Sequence, residues 1–269
     1  MNPLFAAAGI TVTGPLMSGK ILESTLAGSW FQANPKVLQK QIADWIGNAD
    51  VKNREKAPIV LIQPHAGYLY SGQTAAYGAK SIQGKKYNRV IILGPTHRVY
   101  MRNRICTPSE GVGMSSPLGT VAIDCEAIEK IRSLPFIEAD DNILVQEHSV
   151  QIQLPFLQYA LGNEFKVVPL VIGQLDDAYA EKVAKAIGKI VDDSTLIVVS
   201  SDFTHYGKNF DYVPFRSDIE ENLKKLDLGA FDKIRTKKSS EFASYVRNTG
   251  ATICGEGPIR ILLNMIPAN

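Results

Sequence analysis

The sequence predicts an α/β fold, with a mostly parallel or mixed central sheet packed between helices. Three observations predict it. Apolar, β-branched runs at 58–63 (PIVLIQ), 89–93 (RVIIL), 166–172 (KVVPLVI) and 195–200 (TLIVVS) have the length and composition of buried strands. Helical patterns at 73–83, 124–133, 147–161 and 178–191 separate several of these runs. No linker, repeat or low-complexity tract cuts the 269 residues, so they read as one large domain with a short leading segment.

In chain order, residues 1–25 form an N-terminal extension and 26–269 the domain. The opening MNPLFAAAGITV has no Lys or Arg ahead of its apolar stretch, unlike a secretory signal. Gly14–Lys20 (GPLMSGK) matches a phosphate-binding loop in outline only. Ile21 stands where Ser or Thr should hold Mg²⁺, and Pro15 removes a needed N–H, so we read a turn. The first strand stops at Pro64, which cannot donate a ladder hydrogen bond, and LIQPHAGYLYSG (61–72) then sets His65 just beyond it. Residues 104–123, broken by Pro108, Gly111, Gly113, Pro117 and Gly119, read as a hairpin or irregular excursion, antiparallel to the rest. Beyond residue 206 the chain reads as helical through 216–234 and 239–247, closing with GATICGEGPIRILLNMI.

Lys and Arg number 29 against 27 Asp and Glu, and the net charge of +2 has no dense basic stretch, which argues against a nucleic-acid partner. No run approaches the roughly 18 apolar residues of a membrane span. Cys106, Cys125 and Cys254 are too few and scattered for a disulfide framework. A reducing, cytoplasmic location with no membrane association is the expectation.

The chain has four histidines, and three of them close a strand: His65 follows PIVLIQP, His97 follows RVIILGPT and His205 follows TLIVVSSDFT. Parallel strands bring their carboxyl ends to one edge, where imidazoles can meet and, with a carboxylate or thiolate, hold a divalent metal. Asp202 lies three residues before His205, where it either caps a turn or orients the ring. Cys254 precedes a helix with Pro258 in its first turn, a setting that favours thiolate. Cys106 and Cys125 read as packing residues. His148, in EHSVQIQLPFLQYAL, reads equally as lining the pocket or facing solvent, with metal ligation the lesser reading.

PHAGYLYSG, GPTHR, EHSVQIQLPFLQ, SSDFTHYG and GATICGEGPI, in this order, resemble the Memo family from about AGSWF (27–31) to the C-terminus. That family is similar in fold to the class III extradiol dioxygenases, non-haem iron enzymes built as a three-layer αβα sandwich. The resemblance implies a metal held by His65, His97 and Cys254, with Asp202 and His205 as catalytic groups in the same pocket. Gly67 and Gly72 would let the backbone turn close to the metal, and Tyr68 and Tyr70 would pack or offer a phenol. The dioxygenases place a carboxylate where this chain has Cys254, and the softer donor makes copper or zinc credible beside iron. The leading expectation is therefore a metal-binding redox protein, a dioxygenase-like oxidoreductase acting on oxygen or a small molecule. Two alternatives use the same residues. One is a metal-independent hydrolase or acyl transferase with Cys254 as nucleophile, His205 as base and Asp202 as orienter. The other is a recognition site for a peptide or phosphopeptide without catalysis, as animal members of the family suggest.

Overall fold

The computed structural model describes residues 19–52 and 56–267; most of the N-terminal extension, including residues 14–18 of the loop-like motif, lies outside them. The chain begins with β1 (Lys20–Leu22) and α1 (Pro35–Asn48), whose Asn34 cap accepts from the N–H groups of Lys36 and Val37. Then follow β2 (Val60–Gln63), α2 (Tyr68–Ile82) and β3 (Arg89–Pro95). The excursion holds β4 (Ile105–Thr107), β5 (Gly111–Ser116) and β6 (Gly119–Ala122). After it come α3 (Cys125–Arg132), β7 (Ile137–Ala139), α4 (Asp141–Gln146), α5 (His148–Gln151) and α6 (Leu154–Leu161). The chain continues through β8 (Lys166–Ile172), α7 (Asp177–Gly188) and β9 (Thr195–Ser200), and finishes with α8 (Ile219–Arg235), α9 (Ser239–Thr249) and α10 (Glu256–Met265).

Six strands form the main sheet in the order β2-β9-β3-β8-β4-β7. The first four are parallel neighbours, and β4 runs antiparallel to β8. The sheet is therefore mixed, as the broken composition of 104–123 predicts. β5 and β6 make the antiparallel hairpin, and β1 joins it in parallel as a small second sheet. The last residues of the N-terminal extension are thus tied to the domain. Helices α1, α2 and α6 pack together as one outer layer, and α7 and α10, with α9 and α8 beyond them, form the other. This αβα arrangement explains the continuous apolar runs: β8 past its first residue and all of β9 are buried, since both faces are covered.

The helix expected over 147–161 is two helices. Pro155, in the first turn of α6, has no N–H to continue a ladder, and Ile152 and Gln153 turn the chain between α5 and α6. Before α5, Glu147 is extended, with φ −92° and ψ 118°, and its carboxylate caps the new helix by accepting from the Ser149 N–H. That break matters for the site because it aims Glu147 inward.

Candidate metal centre

β2, β9 and β3 lie side by side in parallel, with Gln63 opposite Ser200 and Leu93 opposite Val199, so their carboxyl ends reach one edge together. His65, Asp202 and His97 each follow one of these ends by two residues. The sheet order, which is not the chain order, brings them together. Cys254 reaches the same edge from the start of α10, through an approach so close that a Cβ on Gly255 would overlap the side chain of Ser201. Glycine is required there.

Proton bookkeeping decides the state of His65, which is 1% exposed. The single hydroxyl proton of Ser200 is donated to the Ser149 carbonyl, 2.6 Å away, and the Gln153 amide donates to the same Oγ at 2.8 Å. Ser200 can therefore only accept from His65 Nδ1, 2.9 Å away. The ring proton sits on Nδ1, and Nε2 is left with a lone pair facing Cys254 Sγ at 3.0 Å. Burial, followed by the neighbouring histidines, holds the His65 pKa well below its usual value. Burial first, then the Asp202 carboxylate, pushes the Cys254 thiol up to about 12. In the metal-free protein the pair is a neutral thiol donating to a neutral imidazole, because burial outweighs the effect expected of a helix N-terminus.

Asp202 serves His65 more directly than His205. Its Oδ1 accepts from the His65 and Ala66 N–H groups at 2.7 and 3.3 Å, and its Oδ2 lies 3.8 Å from His65 Nε2. His205 is oriented instead by Thr252: the ring Nδ1 donates to the Thr252 carbonyl at 2.7 Å, leaving Nε2 free to accept a proton. The Thr252 hydroxyl also bridges the His205 main chain, accepting from its N–H at 2.8 Å and donating to its carbonyl at 2.7 Å.

His97 is fixed by Glu147, which accepts its backbone N–H at 2.6 Å through Oε2 and its ring Nδ1–H at 3.0 Å through Oε1. Burial pushes Glu147 up, but these bonds and the Ser149 N–H outweigh it and hold the carboxyl at about 2. His148 joins the group, with ring centroids 5.3 Å from His65 and 4.4 Å from His97, and it also packs against Trp30 at 4.4 Å. One ring nitrogen from each of His65, His97 and His148 lies within 4.8 Å of the others. The donor chemistry fits a transition metal: three imidazoles side by side, that of His65 with Nε2 unprotonated, beside a thiol.

Of the two roles expected of Tyr68, packing or offering a phenol, the structure gives packing, and it gives Gly72 a role other than the expected one. Tyr68 is buried against Phe31, Trp45 and Phe156, with its hydroxyl donated to the Ile152 carbonyl, so it packs. Tyr70 is 83% exposed. Gly72 lies within α2 and makes room for the Trp45 ring. Glu147, Ser200, Gln153 and Thr252 carry the positioning contacts and were not singled out by sequence; only the adjacency of Glu147 to His148 hinted at any of them.

Residues 23–268 match the family model described as Memo-like protein. The chain is similar to "Protein memo-1 homolog" of Caenorhabditis elegans, with 33% identity over 88% of this chain and 69% of the relative. It is also similar to "Protein MEMO1" of Homo sapiens, with 30% identity over 93% of this chain and 86% of the relative, and to its Danio rerio counterpart, with 30% identity over 91% and 84%.

Proposed function

The chain belongs to the Memo family, and from that premise we propose that it is a metal-binding redox protein whose His65, His97 and Cys254 hold iron or copper, with zinc as a further ion they suit. The observation that carries this reading is the His65–Cys254 contact at 3.0 Å, in which a proton lies between two atoms that are both good metal donors. Bound there, iron or copper would supply electron transfer and Lewis acidity for oxygen or a small-molecule substrate. The chain's own residues do the rest. Ser200 and Glu147 keep protons on the Nδ1 atoms of His65 and His97, Asp202 holds the His65 loop, and His205 Nε2 takes or returns a proton at the same edge.

Elemental analysis of protein purified without oxygen tests the reading directly. About one iron or copper per chain, lost in His65→Ala, supports it; metal-free protein that also fails to take up added Fe²⁺ or Cu⁺ ends it. A metal-independent nucleophile is less well supported, since Cys254 is held as a thiol and the ring against it is His65. Peptide recognition has one observation in its favour, the exposed Leu69 and Tyr70 in the first turn of α2, close in sequence to His65. Peptide capture that survives metal removal and His205→Ala would select that reading. Among the described residues no helix is long and apolar enough to cross a membrane, and the free thiols accord with the cytoplasmic location we propose.

A further inference from the structure

We infer that His148 is a fourth ligand of the metal proposed above, an inference that rests on that reading and extends its donor set to three imidazoles and a thiolate. The first support is placement. One nitrogen from each of His65, His97 and His148 lies within 4.8 Å of the others. Ligand atoms bonded to one ion at about 2.0–2.1 Å stand roughly 3–3.5 Å apart in a tetrahedral site. For the three imidazoles, closing that gap needs side-chain adjustments on the order of 1 Å, and Cys254 meets the group through its 3.0 Å contact with His65 Nε2.

The second support is an unmet hydrogen bond. His148 is 8% exposed, yet its Nδ1 is buried with no hydrogen-bond partner among the described residues. Glu147 Oε1 approaches it to 3.2 Å, but that oxygen already accepts the His97 ring N–H and the Ser149 N–H. Buried ring nitrogens are normally satisfied. His65 Nδ1 has Ser200, His97 Nδ1 has Glu147 and His205 Nδ1 has Thr252, so His148 is the one histidine of the group whose ring is not tied by a hydrogen bond. Its position is fixed by packing instead: the Trp30 ring lies 4.4 Å away, tilted by 31°, and the His97 ring 4.4 Å away, tilted by 38°. A ring held between neighbouring rings, with a buried Nδ1 uncommitted and two other imidazoles beside it, is arranged to bind a cation.

The test uses the full chain, freed of metal and titrated with Zn²⁺ while ¹⁵N-labelled imidazole resonances are followed. The His148 ring nitrogens should shift together with those of His65 and His97. His148→Ala and the more conservative His148→Gln should each weaken Zn²⁺ binding on the order of tenfold or more, with circular dichroism unchanged. If the His65 and His97 resonances move while His148 stays still, and His148→Gln binds Zn²⁺ like wild type, the inference is overturned and the three-residue site stands. If no histidine resonance moves and His65→Ala binds as wild type does, the metal reading itself falls and this inference with it.

Discussion

Glu147 accepts two protons' worth of hydrogen bonding from a single residue, His97, one oxygen taking the backbone N–H at 2.6 Å and the other the ring Nδ1–H at 3.0 Å. A carboxylate can do this because both of its oxygens are acceptors; an amide has only one. Glu147→Gln must turn an NH₂ group toward one of the two N–H donors. The change should lower metal affinity about 10–100-fold, the usual scale for loss of a ligand-orienting group, and cost about 1–3 kcal/mol of stability. Competition with a metal chelator and urea unfolding measure the two effects. Unchanged values in both would mean that Glu147 does not hold His97 in solution.

His65→Ala, His97→Ala and Cys254→Ala should each weaken binding of the proposed metal by tenfold or much more. The fold should survive, because the buried faces of β3, β8 and β9 form a core that does not depend on the ion. Metal content and circular dichroism on the same preparations decide the matter. Full occupancy in all three variants would refute the assignment.

Metal binding should release protons. The Cys254 thiol, pushed up to about 12, keeps its proton at neutral pH in the free protein, and coordination would require the thiolate. Zn²⁺ added at pH ~7 should therefore displace about one proton per ion, and affinity should rise with pH. Cys254→Ala should remove the release. Calorimetry in buffers of different ionisation enthalpy counts the protons, and a count of zero in wild type would leave sulfur outside the site.

His205→Ala and Asp202→Asn should separate. His205 is held by Thr252 with Nε2 free, so removing it should leave most of the metal bound while slowing any oxygen-dependent turnover by ~10²-fold or more. Asp202 accepts from the His65 and Ala66 backbone, so Asp202→Asn should also loosen His65 and lower metal content. Oxygen consumption measured beside metal content tests both. Parallel loss of metal and activity in His205→Ala would make His205 a ligand.

Acid should destabilise the metal-free protein. Burial holds His148 at about 4 against an ordinary 6.5, so in that interval the unfolded chain binds a proton that the folded chain refuses. Its contribution is fully present above pH 6.5 and lost as pH falls through 4. Glu147, held at about 2 against 4.5, acts in the same direction over the lower interval. Urea midpoints taken between pH 7 and pH 4 should fall steadily, and His148→Gln should flatten the upper part of that fall. A wild-type midpoint that does not change with pH would contradict it.

Local chemistry by itself determined the four central strands to within two residues at each end. β-Branched runs specify β2, β3, β8 and β9 through side-chain packing on a doubly covered sheet, and Pro64 specifies where the first of them stops. It also determined that His65, His97 and His205 follow strand ends, since that is a matter of position along the chain. The order β2-β9-β3 is not in any local pattern; it comes from how the helical layers pack, and it makes neighbours of residues more than a hundred positions apart, such as His65 and Ser200. For the same reason Gly72, expected to let the backbone turn close to the metal, instead makes room for the Trp45 ring, and of the two roles open to Tyr68 the surrounding aromatics select packing. Glu147 is one acidic residue among many until the break before α5 and its burial make both of its oxygens acceptors for His97. Only the tertiary structure decided which ring each buried donor and acceptor would meet, because hydrogen bonding and desolvation depend on neighbours in space, while strand formation depends largely on neighbours in sequence.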